Sequence, residues 1–161
     1  MIKRLTYLLV LAILLSGCII KHPCVNGPMD MAFIGFSPAD IDTIIVRTYK
    51  VNDNYAHLID TLVIRDHATG IYTVGHDTTV VFINDGMHGW LTADYDWQIY
   101  IPAKKRTISL SNITTEPIDG RGRVCFNPVT SFKLDGLPTT PHLVENSQFY
   151  ASGYLVYIKN E

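Results

Sequence analysis

The sequence predicts an all-β chain folded as a single β-sandwich of immunoglobulin-like or transthyretin-like architecture, with a small β-barrel as the alternative. Three observations carry this. Short runs rich in Val, Ile, Thr and Tyr recur from residue 30 onward, the composition of pleated, half-buried strands. Asn, Asp and Gly punctuate those runs at short intervals, as turns require. No window repeats apolar residues at the spacing of a long amphipathic helix. The chain has 161 residues, of which 47% are hydrophobic. That suffices for one domain with a real core and is too apolar for wholesale disorder.

In chain order, Met31 to Phe36 is the first candidate strand of the domain. Ser37-Pro38 has the form of a helix N-cap followed by proline at the first helical position, with room for only one turn. Thr43 to Lys50 is β-branched and aromatic. Asn52-Asp53-Asn54 is a strong turn signal, and Tyr55 to Arg65 is the return strand of that hairpin. The stretch Ile41-Asp42-Thr43-Ile44-Ile45-Val46 echoes Ile59-Asp60-Thr61-Leu62-Val63-Ile64, as two successive strands of one meander would. Asp66 to Gly70 is a polar connection. Ile71 to Val74 and Thr78 to Ile83 follow, with Gly75 at the break and Asn84-Asp85-Gly86 as the next turn.

Tyr95 to Ile101 alternates most clearly. Tyr95, Trp97, Ile99 and Ile101 share one face, and Asp96, Gln98 and Tyr100 share the polar one. Ile108 and Leu110 alternate with Thr107, Ser109 and Ser111 in the same way. Arg123 to Phe126, Ser131 to Leu134 and Ser152 to Lys159 complete the set. The last places Tyr154, Val156 and Ile158 on one face.

The front of the chain reads as an address. Lys3 and Arg4 precede a nearly unbroken apolar run from Leu5 to Leu15, and Ser16, Gly17 and Cys18 close it. A basic start, a short apolar stretch and a small-residue exit describe a secretory signal. The run is shorter than the ~20 residues a membrane-spanning helix needs. Leu14-Leu15-Ser16-Gly17-Cys18 resembles the lipobox of bacterial lipoproteins. The resemblance implies cleavage before Cys18 and a diacylglycerol thioether on its sulfur. Two or more acyl chains would then hold the protein stably at a membrane. Residues 1–17 are accordingly expected as signal peptide, 18–29 as lipidated Cys and irregular tether, and 30–161 as the sandwich domain.

Ile19, Ile20 and Lys21 contain no acid. By the Gram-negative sorting rule, the resemblance implies the outer membrane, facing the periplasm. Beyond the motif, the chain is similar in style to small envelope lipoproteins of Gram-negative bacteria, a likeness that transfers no ligand. With Cys18 lipidated, Cys24 and Cys125 remain, and in a secreted domain they read as one disulfide. Two separate free thiols are the alternative.

No GxSxG, SxxK or HExxH motif occurs, and Gly120-Arg121-Gly122-Arg123 lacks the P-loop spacing. His57, His67, His76 and His88 are scattered and read as exposed loop residues. Asp94-Tyr95-Asp96, Asn52-Asp53-Asn54 and Asn84-Asp85-Gly86 bring oxygen ligands together, but turn formation accounts for the Asn-rich pair, so no metal site is expected. No cofactor is expected either. A net charge of −2 disfavours nucleic acid as a partner.

The aromatic set is the most suggestive feature. Trp97 belongs to the apolar face and hence to the core, whereas Trp90 and Tyr100 are candidate rings for stacking on a glycan. The leading functional expectation is a non-enzymatic interaction or structural module, partnered by the membrane through its lipid and by an envelope protein. A carbohydrate-binding module for glycan capture is the first alternative. An envelope hydrolase whose site assembles from distant residues is the second.

Overall fold

The computed structural model describes residues 22–65, 71–73, 78–81, 91–120, 125–143 and 154–160. Two short strands come first, β1 (His22–Pro23) and β2 (Val25–Asn26), followed by β3 (Asp30–Ile34), β4 (Thr43–Tyr49) and β5 (Leu58–Arg65). Next are β6 (Ile71–Thr73), β7 (Thr78–Val81), β8 (Asp96–Ile101) and β9 (Arg106–Thr115). Then come β10 (Asp119–Gly120), β11 (Phe126–Asn127), β12 (Val129–Leu134), β13 (Leu137–Thr139), β14 (His142–Leu143) and β15 (Tyr154–Lys159). A one-turn 3₁₀ helix, Pro102–Lys104, links β8 to β9.

The strands form a β-sandwich. One sheet has the order β13-β12-β9-β8-β4-β5, all antiparallel, and the facing sheet has the order β14-β15-β3-β7-β6. Within the second, β3 and β15 run parallel, from Leu155 beside Asp30 to Lys159 beside Ile34. A parallel pair needs a long crossover, and here most of the domain lies between its two strands. Neither sheet closes on itself among the described residues, which sets aside the barrel alternative.

Period-two patterning places the core between the sheets. From the six-stranded sheet come Ile44, Val46, Trp97, Ile99, Ile101, Ile108, Leu110, Val129 and Phe132. Opposite them are Met31, Phe33, Val156 and Ile158. Trp97 is a core residue at 4% exposure, as its strand face predicts, and its indole Nε1 donates to the Thr92 carbonyl at 2.9 Å. The β3 and β15 strands are buried on both faces, because Ala32 and Leu155 form a second small cluster on the far side.

The β4–β5 hairpin forms as its turn signal predicts, and the two echoing segments are its paired strands. Ser37-Pro38 does begin a single turn. The Ser37 hydroxyl accepts from Asp40 N–H at 3.3 Å, and Asp40 Oδ2 accepts from Ser37 N–H at 2.9 Å.

One expectation fails. The segment between Cys18 and residue 29 was expected as irregular tether, but from His22 it is built into the body. The β1 strand pairs with β10, β2 pairs in parallel with β11, and Met29 is fully buried and bridged to Leu91. The reason is the Cys24–Cys125 disulfide, which is formed and holds Cα atoms 101 residues apart in sequence at 4.9 Å. Beside it, Val25 N–H donates to the Cys125 carbonyl at 3.2 Å and Gly27 N–H to the Asn127 carbonyl at 3.0 Å. The amides of Val25 and Gly27 thus bond to protein where those of a solvated tether would bond to water.

Candidate functional site

The outer face of the six-stranded sheet carries a polar cleft of about 650 Å³, lined by Asn52, Asn54, Tyr55, Asp96, Ser109, Ser111, Asn112, Lys133, Asp135 and Gly136. Register explains why these residues meet. Asp96 and Gln98 point away from the core on β8, where Gln98 pairs with Ser109 of β9, and Ser111 pairs with Lys133 of β12. The floor is therefore the polar face of three adjacent strands.

The walls come from turns and a bulge. After β4 the chain folds back over the sheet, so that Tyr55 packs edge-on against Tyr49 with ring centroids 5.3 Å apart. Asn52 N–H donates to Asp96 Oδ2 at 2.9 Å, tying the turn to the floor. On the opposite side, Asp135-Gly136 forms the two-residue turn between β12 and β13. Its Asp135 Oδ1 accepts from Ser109 N–H at 2.7 Å, and Asp135 N–H donates to the Ser109 carbonyl at 2.8 Å. Between Ser131–Thr114 and Lys133–Ser111 the pairing advances two residues on β12 but three on β9. The extra residue is a β-bulge at Asn112, which has φ 50°.

Left-handed backbone concentrates here. Asn52, Asn54, Tyr55, Asn112, Asp135 and Gly136 have φ of 60°, 56°, 61°, 50°, 49° and 81°. Among the described residues, only Lys105 and Gly35 adopt such values elsewhere. Asn, Asp and Gly tolerate this region, but for a bulky ring such as Tyr55 it costs on the order of 1–3 kcal/mol. Strain of that kind persists where surrounding contacts over-determine it, and it clusters at binding sites.

The electrostatics are equally particular. Asp96 was expected on an open polar face, yet it is only 3% exposed, because the 51–57 turn covers it. Its Oδ1 is buried without a hydrogen-bond partner, and so is the Tyr55 hydroxyl. The Ser109 and Ser111 hydroxyls are close enough to influence the phenol but make no well-formed bond with it. Burial pushes the Tyr55 pKa above its ordinary value, and the nearby Asp96 and Asp135 charges push the same way. The phenol thus stays protonated at neutral pH and keeps an O–H to donate.

The other sequence candidates lie elsewhere. Tyr100 is on the outer face but half-buried, with the Arg47 guanidinium 5.8 Å above its ring, and it is not part of the cleft lining. Trp90 and Cys18 fall outside the described residues, as do His67, His76, His88 and Asn84-Asp85-Gly86. His57 is exposed, with Nδ1 2.5 Å from Asp53 Oδ2. Asp94 and Asp96 diverge: Asp94 Oδ1 accepts from Asn26 Nδ2 at 2.7 Å, while Asp96 faces the cleft turn. Among the described residues, no three His, Cys, Asp or Glu side chains group as metal ligands would.

The cleft itself was not anticipated, although the sequence carried two signals for it. Asp135-Gly136 between apolar residues is a hairpin dipeptide. Leu110 and Ile113 both pack on the core although three residues apart, a phase shift that marks the bulge. The chain matches no known protein family, no curated protein and no solved structure.

Proposed function

We propose that this protein is a lipid-anchored module of the bacterial cell envelope, held through Cys18 at the periplasmic face of the outer membrane, and that it binds a ligand or partner without transforming it. The observation that carries the reading is the placement of Leu14-Leu15-Ser16-Gly17-Cys18 directly ahead of the folded body. Five residues lie between Cys18 and the disulfide-bonded Cys24, a span of six residue steps. Fully extended, that span covers about 20 Å. An acylated Cys18 would therefore hold the domain close to the bilayer surface. A covalently closed first turn of chain suits a tethered domain, since the pull of the anchor meets a crosslink and not a fraying end. The cleft supports the binding role, because its amide, hydroxyl and carboxylate groups are those that recognise polar ligands.

Mass spectrometry of the mature protein from bacterial membranes tests the anchor. The expected product begins at Cys18 with diacylglycerol on sulfur, and Cys18→Ala moves the protein into the aqueous phase of a detergent partition. An intact Met1, an unmodified Cys18 thiol, or a Cys18→Ala protein retained in membranes after alkaline wash would overturn it.

A further inference from the structure

We infer that the cleft between the 51–57 turn and the Asp135-Gly136 turn is a binding site for a neutral, polyhydroxylated ligand, a short oligosaccharide. The inference deepens the binding-module reading and rests on it. It places the sugar away from Tyr100, which is not part of the cleft lining.

The first argument is the orphaned oxygens. Asp96 is 3% exposed and its Oδ1 has no partner, and the Tyr55 hydroxyl beside it is likewise buried and unpartnered. An unmade hydrogen bond at a buried carboxylate is costly, and a native fold retains one where something else supplies the donor. Both atoms belong to residues that line the same cleft. A ligand hydroxyl can donate to a carboxylate while accepting from a phenol, so a single O–H group can serve both orphans.

The second argument is the balance of the lining. Asp96 and Asp135 are acceptors and Lys133 is a donor. Asn52, Asn54, Asn112, Ser109, Ser111 and Tyr55 each do both. An ammonium ligand would call for acceptors alone, and an anion for donors alone. Groups that donate and accept match hydroxyls, which do the same. A bare cation fits poorly, because calcium takes about 6–8 oxygens, whereas this cleft offers two carboxylates with a lysine in the same wall. The volume of about 650 Å³ is that of a small-molecule site and far exceeds an ion. The third argument is preorganisation. Turns and bulge hold the polar groups in left-handed backbone that is already strained, so little ordering remains to be done on binding.

The test uses the full lipidated chain in a detergent without a sugar headgroup. It is titrated with short neutral gluco-, manno-, galacto- and N-acetylglucosamine oligosaccharides, with calcium chloride and spermidine as separate arms. The expected result is saturable binding of at least one oligosaccharide. Asp96→Asn and Ser111→Ala should each weaken it about tenfold or more, the loss of a hydrogen bond to a charged or buried group. Tyr100→Ala should leave it unchanged. Ser111→Ala keeps the test open should Asp96→Asn fail to fold. Binding of none of the sugars, affinity indifferent to both cleft variants, loss of binding in Tyr100→Ala, or saturable binding of calcium or spermidine alone would each overturn the inference. None of these outcomes bears on acylation of Cys18, so the anchor stands or falls separately.

Discussion

Asp96 shows how one residue can set stability against recognition. The residue sits on the strand face that alternation marks as polar, and a polar face is ordinarily open to water. Here the turn after β4 closes over it, leaving one carboxylate oxygen bonded to Asn52 N–H and the other with no donor. Burying a charge without full compensation costs more than burying a neutral amide. Asp96→Asn keeps an acceptor for Asn52 and removes the charge. The variant is therefore expected to be more stable than the parent by about 1 kcal/mol, read from urea denaturation without ligand. A less stable Asp96→Asn would mean that the carboxylate has a favourable role in the fold itself, and the tension between folding and binding would vanish. Asp40 is the contrasting case. Ser37 N–H, Lys104 and the Ser37 hydroxyl all stabilise its charged form and hold its pKa below the ordinary value. Its contribution is present above the ordinary carboxylate pKa and is lost as the pH falls from there through the lowered pKa of the folded state.

At the scale of elements, the strands were legible in the sequence and the irregularities that shape the cleft were not. Alternation along 95–101 put Trp97, Ile99 and Ile101 in the core, where they are. The Asn-rich turn announced its hairpin. What alternation cannot give is how a turn folds over a sheet, because that depends on contacts such as Tyr55 on Tyr49, made only after the strands have paired. The same holds for the tether. Nothing local in residues 22–29 signals a strand, and their pairing comes from chain about a hundred residues away. Two glycines separate these local and distant causes. Gly136 has φ 81° and open space where a Cβ would go, so Gly136→Ala carries only backbone strain, about 1–2 kcal/mol. At Gly27 a Cβ would stand 2.6 Å from the Asn127 carbonyl oxygen, a backbone atom, so Gly27→Ala must push β2 off β11. Thermal melts should show a modest, uniform loss for Gly136→Ala. For Gly27→Ala, hydrogen exchange should rise at 24–27 and 126–127 in particular. Equal and uniform effects of the two would refute the distinction.

Across the whole molecule, the first described strands are held to the late ones by a crosslink and a small polar network. Asn127 is buried, donates from Nδ2 to the Cys24 carbonyl at 3.1 Å, and accepts at Oδ1 from Ile118 N–H at 3.0 Å. It thereby joins the first described strands to the late ones beside the Cys24–Cys125 bond. Closing a loop of this length restricts the unfolded chain, and losing a native disulfide from a small secreted domain costs about 2–5 kcal/mol. The cost has a location as well as a size. Val25 N–H and Gly27 N–H bond to the carbonyls of Cys125 and Asn127, whereas neither half of the bridge belongs to the main core cluster. Reduction should therefore lower the melting temperature by roughly 5–15 °C for a domain of this size. Before that, below the melting range, it should release the amides of Val25 and Gly27 to exchange while those of β4, β8 and β9 stay protected. Cys125→Ser should reproduce both effects without reductant. If all amides lose protection together on reduction, the two-residue strands are part of the cooperative core. The disulfide then stabilises the sandwich as a unit and does not secure the end from which the lipid anchor would pull.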